Sequence, residues 1–189
     1  HYSSILELTK EFEYGDFTIK EIRVNNFLGF KDKETVISLD KDGVIGISGK
    51  NKVGKSSLIN SIAFALFSSS RSSSSSLKKM INKNNRNKEC YVALIIEKAG
   101  KLYIVKRTII PKKKKGISIQ LDFKEIDSEY NEINSLNGEQ RKETEKEIVK
   151  YFGLESSFEI MSFYSAQKKQ VEFIDCKNSE RLSLINKFL

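Results

Sequence analysis

The sequence holds one histidine, one proline, no tryptophan and two cysteines in 189 residues. The histidine stands at position 1, so a His-rich two-metal nuclease centre has no ligands within this chain. Cys90 and Cys176 lie far apart and without metal-ligand spacing. That pattern supports neither a zinc site nor a disulfide framework; it fits free, partly buried thiols in a reducing cytosol. No apolar run approaches the roughly 20 residues that cross a bilayer, and the N-terminus lacks the apolar stretch of a signal peptide. No membrane partner is expected. The start at His1 rather than Met gives the expectation of a tag remnant or a cut N-terminus.

What is present is enough for one domain, or one lobe of a larger one. Hydrophobic residues make up 39% of the chain, so most of it should fold. Lys and Arg number 33 against 25 Asp and Glu, a net charge of +8. Such a surplus suits a polyanion, and it equally suits plain solubility; charge alone does not decide.

The run 17–24 alternates apolar and charged positions and reads as a half-buried strand; 36–39 reads as a second. Lys41-Asp42-Gly43 is a turn, and 44–48, a continuous apolar run, predicts a buried central strand. A helix follows over 57–67, with Leu58, Ile59, Ile62, Ala65 and Leu66 on its buried side. Residues 68–76 are serine with one arginine and predict a flexible loop. Residues 91–96 and 102–110 form a hairpin around Lys98-Ala99-Gly100-Lys101, and 117–123 is a further strand. An amphipathic helix over 138–152 stops at Gly153. Ser179 caps a last helix, 180–189, within which the chain stops, so a fragment is expected.

Between the strand and the first helix stands Gly49-Lys50-Asn51-Lys52-Val53-Gly54-Lys55-Ser56, followed by Ser57. The pattern is G-x-x-x-x-G-K-S in the strand–loop–helix context that a phosphate-binding loop requires. Successive backbone N–H groups can curl round an anion, and the helix adds its positive end. Glycines at 49 and 54 permit conformations and close approach that a Cβ obstructs. Lys55 reaches the β and γ phosphates, and the Ser56 hydroxyl is placed to ligate Mg²⁺. The expected ligand is ATP with Mg²⁺. Lys52 stands where a third glycine is common, and it is strained if that position needs positive φ.

The order of parts resembles a known family. A strand leading to Asn26-Phe27, a polar turn, two strands, the loop, and a helix ending Phe64-Ala65-Leu66-Phe67 are similar to the N-terminal head lobe of SMC-like ABC ATPases, nearest the SbcC and Rad-fifty branch. The resemblance covers 17–189 and includes the run 158–167, ending in Gln167, with Glu180-Arg181-Leu182 downstream. It implies an α/β P-loop NTPase lobe with a mixed β-sheet and antiparallel hairpins around a central phosphate-loop helix. It implies an N-terminal extension over 1–16, the lobe over 17–177 and the start of a coiled coil over 178–189. It assigns Gln167 to sensing Mg²⁺ and the γ phosphate, with Gln170 as the rival register. It further implies ATP hydrolysis once a C-terminal lobe and a second head complete the site. Double-stranded DNA and a nuclease or other effector subunit are the implied partners. The implied location is cytoplasmic: nucleoid-associated in a bacterium, nuclear in a eukaryote. The family's Walker B acid, signature serine and switch histidine are not in this sequence. The family's arginine-rich turn is here Leu28-Gly29-Phe30-Lys31, and Lys168 follows the loop glutamine, so a divergent branch is expected, such as a phage or anti-phage defence ATPase.

Pro111, Lys112, Lys113, Lys114, Lys115 and Gly116 form a hairpin tip with four like charges, either a solvated loop or a sequence-independent contact with DNA phosphates. Lys106 and Arg107 lie close by, with Arg107 expected on the face that approaches the tip. Three functions therefore stay open: a DNA-processing ATPase, a non-catalytic ATP-gated clamp or sensor, and a P-loop kinase or GTPase. The last finds no N-K-x-D guanine motif and leaves Gln167 unexplained.

Overall fold

The computed structural model describes residues 17–40, 45–50, 54–67, 77–112 and 116–154. The elements run β1 (Phe17–Asn25), β2 (Thr35–Ser38), α1 (Lys55–Phe67), a 3-10 turn (Leu77–Met80), β3 (Cys90–Lys98), β4 (Lys101–Pro111), β5 (Ile117–Ile126), β6 (Glu132–Ser135) and α2 (Arg141–Phe152). The strands form one sheet in the order β2-β1-β3-β4-β5-β6. Every pairing in it is antiparallel.

Alternation along the strands decides the faces. Ile22, Val24, Val92, Leu94, Ile96, Tyr103, Val105, Ile109, Leu121 and Phe123 are buried in one core with Phe64, Ala65 and Leu66 of α1 and Ile148 and Phe152 of α2. Each such side chain contributes about 1.5–3 kcal/mol relative to exposure. Rings gather at the α2 end, where Phe17, Tyr103 and Phe123 lie with centroids 5.3, 6.2 and 5.6 Å from Phe152. The β3–β4 hairpin turns on Ala99 and Gly100 at φ 51° and 74°. Positive φ at both central residues matches the right-handed twist of the strands, and glycine removes the strain at the second.

α2 starts at Arg141, where the Gln140 N–H donates to the Glu143 carboxylate at 3.1 Å. It ends as expected at Gly153, in the left-handed region at φ 64°, with its N–H on the Lys150 carbonyl and the Leu154 N–H on that of Val149.

Two readings of the sequence need correction. Residues 45–48 are not a buried strand: they carry no strand pairing, and Ile45 and Ile47 are 48% and 44% exposed. The apolar run signals burial against something, but it joins neither edge of the described sheet. The buried side of α1 is also displaced: Ser61, Ala63, Phe64, Ala65 and Leu66 are buried, the expected Ala65 and Leu66 among them, while Leu58, Ile59 and Ile62 are only half-buried. The helix packs by its C-terminal turns and leaves its start near the surface. β6 gave no signal, because all of Glu132-Ile133-Asn134-Ser135 is exposed and its sequence does not alternate toward a core.

Among the described residues, no helix is long and apolar enough to cross a membrane. Cys90 is free and fully buried. Burial pushes its thiol up to about 12, so it stays protonated. Cys176, the serine run and the segments 1–16 and 178–189 lie outside the described residues.

Candidate functional site

The phosphate-loop motif lies against the start of α1. Gly49 and Gly54 take φ of 151° and 109°, conformations that a side chain disfavours. α1 begins at Lys55, and its first helical bond runs from the Leu58 N–H to the Gly54 carbonyl at 3.0 Å. The Lys55 ammonium donates to the carbonyls of Gly49 at 2.6 Å and Lys50 at 2.8 Å. It therefore lies across the loop, on the same side as the helix start. Ser56 is exposed on the first turn, Ser57 half-buried beside it. Asn51, Lys52 and Val53 lie outside the described residues, as do Gln167 and Gln170.

A second segment closes on this one. The turn after β1 carries Asn26 and Leu28 at φ 53° and 47°, two non-glycine residues in the left-handed region. Asn26 is fully buried. Its Nδ2 donates to the carbonyls of Asn85 (3.1 Å), Lys88 (3.4 Å) and Glu89 (3.0 Å). Three carbonyls around one nitrogen fix the orientation of the amide, since the flipped form would face oxygen with oxygen. Asn82, 6% exposed, donates from Nδ2 to Leu28 O (2.8 Å) and Phe30 O (2.9 Å), and its Oδ1 accepts from the Asn84 N–H (2.9 Å). The backbone joins in: Leu28 N–H to Met80 O at 2.6 Å, Asn82 N–H to Asn26 O at 2.8 Å. At the tip of the turn the Gly29 N–H donates to Ser57 Oγ at 3.2 Å. A Cβ on Gly29 would come within 3.0 Å of that oxygen and 3.3 Å of Gly54 Cα. A side chain here would press on the Ser57 hydroxyl, which would have to give by a few tenths of an ångström. Asn82 was missed by sequence reasoning; it stands in an Asn- and Lys-rich stretch with no motif of its own.

Arg107 is elsewhere than expected. It lies on the helix-covered face of β4, fully buried, with Nη1 2.7 Å from Glu145 Oε1 and Nε 3.3 Å from the Ala65 carbonyl. Its Nη2 has no hydrogen-bond partner among the described residues. Burial lowers its pKa and Glu145 opposes that. It ties the end of α1 to α2 and is no surface contact. The inward position follows from register: Arg107 shares its face with Val105 and Ile109. Lys106 points the other way, over the Tyr91 ring at 4.4 Å. Of the basic tip, Lys112 is exposed and closes the hairpin through its N–H to Gly116 O at 3.2 Å; Lys113, Lys114 and Lys115 lie outside the described residues.

Among the described residues no cluster of His, Cys, Asp and Glu could hold a metal ion unaided. Hard oxygen at Ser56, on the first helical turn behind the loop, fits a Mg²⁺ ion shared with phosphates.

Sheet, loop and helix together have the fold of a P-loop NTPase lobe of the ABC-head type. The AAA domain family matches residues 21–188, and the chain belongs to that family. It is similar to a DNA double-strand break repair Rad50 ATPase of Methanocaldococcus jannaschii, 28% identical over 186 residues, covering 90% of this chain and 15% of that protein. The Rad50 ATPase of Thermoplasma volcanium is 36% identical over 104 residues, 55% of this chain and 10% of that protein. An uncharacterized protein of Acanthamoeba polyphaga mimivirus, R555, is 28% identical over 177 residues, 89% of this chain and 13% of that protein. The chain thus spans a small part of the relatives it matches. A solved structure from work on the ATP-driven dimerization and DNA-stimulated activation of SMC ATPases overlays with a TM-score of 0.62 at 20% identity, covering 90% of this chain and 99% of that one. At that identity the likeness concerns the fold. The resemblance read in the sequence, to the N-terminal lobe of SMC- and Rad50-like ATPases, stands.

Proposed function

We propose that this chain is the ATP- and Mg²⁺-binding N-terminal lobe of an SMC-like ATPase that acts on DNA breaks or DNA ends. The observation that carries the reading is the position of Lys55, its ammonium held across the loop by the carbonyls of Gly49 and Lys50 at the start of α1. A cation there meets the terminal phosphates of a nucleotide whose remaining charge is met by backbone N–H groups. Gly49 to Ser57 form the cradle, with Asn51, Lys52 and Val53 assigned by the motif. Mg²⁺, held by Ser56, Gln167 and the phosphates, would neutralise charge developing on the γ phosphate.

Hydrolysis in this reading belongs to the completed head. The exposed Ile45 and Ile47 give the missing lobe an edge to cover, and the fraction of the relatives' length spanned here leaves room for it. Two such heads would close on ATP, with DNA and a nuclease or effector subunit as partners.

In the full-length protein, Lys55→Ala is expected to abolish ATP binding with an unchanged melting temperature, because the side chain serves no core; unchanged ATP affinity would remove the assignment. Gln167→Ala is expected to spare ATP binding and slow Mg²⁺-dependent hydrolysis; the same loss from Gln170→Ala instead would move the register. Replacing Lys112, Lys113, Lys114 and Lys115 with serine should lower the log–log salt slope of duplex DNA binding by about one per lost phosphate contact. An unchanged slope would make the tip a solvated loop.

A further inference from the structure

We propose that Asn82 is a positioning residue for the nucleotide: it aims the Ser57 hydroxyl at the bound phosphates through a single peptide plane. The inference rests on the nucleotide reading above and concerns two residues, Asn82 and Gly29, to which neither the motif nor the family match gives a role.

The Leu28–Gly29 peptide links Asn82 to Ser57. Its carbonyl and its N–H are fixed in one plane and point in opposite directions. The carbonyl accepts from Asn82 Nδ2 at 2.8 Å, and the N–H donates to Ser57 Oγ at 3.2 Å. Rotating this plane breaks both bonds at once. Asn82 also takes the Phe30 carbonyl at 2.9 Å, so one amide spends both its protons on the carbonyls flanking Gly29. Asn82 is itself held by the Asn84 N–H on its Oδ1 and by its own N–H on the Asn26 carbonyl. Nothing in the group is left to rotate freely. The turn is strained, with Asn26 and Leu28 at positive φ, and strain of this kind persists where the surroundings over-determine it.

The consequence falls on Ser57. A hydroxyl has one proton and two lone pairs. The Gly29 N–H engages a lone pair, and the hydroxyl must turn its proton away from that donor. Ser57 stands on the first turn of α1, beside the phosphate loop. Its proton is then held to the side away from Gly29, where an anion in the loop could accept it. Pre-ordering of this kind spares a bound phosphate the cost of reorienting its donor.

The test is a double-mutant cycle in the full-length protein, read as ATP affinity in the presence of Mg²⁺. Ser57→Ala should weaken binding by about tenfold, as for a hydrogen bond to a charged group. Asn82→Ala should weaken it comparably. The double variant should be no weaker than Ser57→Ala alone, because Asn82 acts only through Ser57. Losses that multiply would overturn the proposal, since a purely structural asparagine weakens binding whether or not Ser57 is present. Asn82→Ala also unfastens the turn and lowers the melting temperature, so Gly29→Ala supplies an independent arm. Gly29 is exposed, and its Cβ would press on Ser57 Oγ. It should lose affinity with melting unchanged, and lose nothing further in the Ser57→Ala background. Unchanged affinity in Gly29→Ala would also overturn the proposal. If Lys55→Ala leaves ATP affinity intact, the nucleotide reading itself has failed and this inference falls with it. If Lys55→Ala abolishes binding while the cycle multiplies, the inference alone fails.

Discussion

Besides the β3–β4 hairpin, two turns among the described residues place a non-glycine residue in the left-handed region, and these two are held in opposite ways. The turn of 26–31 has Asn26 at φ 53° and the turn of 127–131 has Tyr130 at φ 67°. The bonds that Asp127 accepts are all local: its Oδ1 takes the N–H groups of Glu129 and Asn131 at 2.8 Å, and its Oδ2 takes Asn131 Nδ2 at 3.0 Å, while the exposed Tyr130 hydroxyl reaches across the sheet, donating to Glu21 at 3.4 Å. Around Asn26 the side chain reaches carbonyls 59 to 63 residues away. The first kind of turn is written in five consecutive residues. The second exists only after the segment 77–89 has docked. The difference teaches why the turn beside the phosphate loop is the costly one: its geometry is guaranteed by the fold of the lobe, and it fails with it.

One substitution made at both positions sharpens this contrast. Asn26→Gly keeps the left-handed backbone and deletes the amide. It should destabilise the lobe by about 1–3 kcal/mol, the cost of leaving polar groups unpaired out of water. Tyr130→Gly relieves strain of about 1 kcal/mol. It gives up a ring that lies 4.2 Å from the Arg23 guanidinium, a contact of about 0.5–1 kcal/mol when exposed. The two nearly cancel, and stability should stay within about 1 kcal/mol of the parent. Urea unfolding of the two variants decides the matter. Equal, small losses would mean that the buried amide holds nothing the backbone does not hold already.

The same contrast explains how far the sequence could be read. Strands with a local pattern were legible, the alternation of 17–24 and the continuous apolar run of 91–96 before a turn, and so was the stop at Gly153. So was the loop, because its spacing is itself the signal. Arg107 was misread because a charged residue near a lysine run suggests surface, while the register of β4 against β5 places it inward. The run 44–48 was correctly read as apolar and wrongly as paired, since hydrophobicity states a need for cover without naming what supplies it. Asn82 left no trace: the carbonyls it holds, on Leu28 and Phe30, belong to a distant segment. Contacts between segments far apart in sequence carry no local pattern, and the closing of the site is made of such contacts.

The smallest expected effect tests the local turn by pH. Asp127 is half-exposed, and hydrogen bonds from the Asn131 side chain, then from backbone N–H groups, hold its carboxyl below the ordinary value of 3.8. A depressed carboxylate stabilises the fold above its unfolded pKa and loses that contribution as pH falls through its folded one. The window therefore lies on the acid side, below about pH 4. Asp127→Ala should melt slightly below the parent at pH 7, by the same interval at pH 5, and the gap should narrow as the parent's carboxylate is protonated. Asp127→Asn, which keeps the acceptor oxygen without the charge, should fall between the two at pH 7. Melting curves of all three from pH 7 to pH 3 give the answer. A gap between parent and Asp127→Ala that is as wide at pH 3 as at pH 7 would show that Asp127 does not act through its charge. The turn would then be held by the backbone bonds between Asp127 and Asn131 and between Tyr130 and Asp127, each 3.0 Å, and both turns would prove to be backbone devices distinguished only by burial.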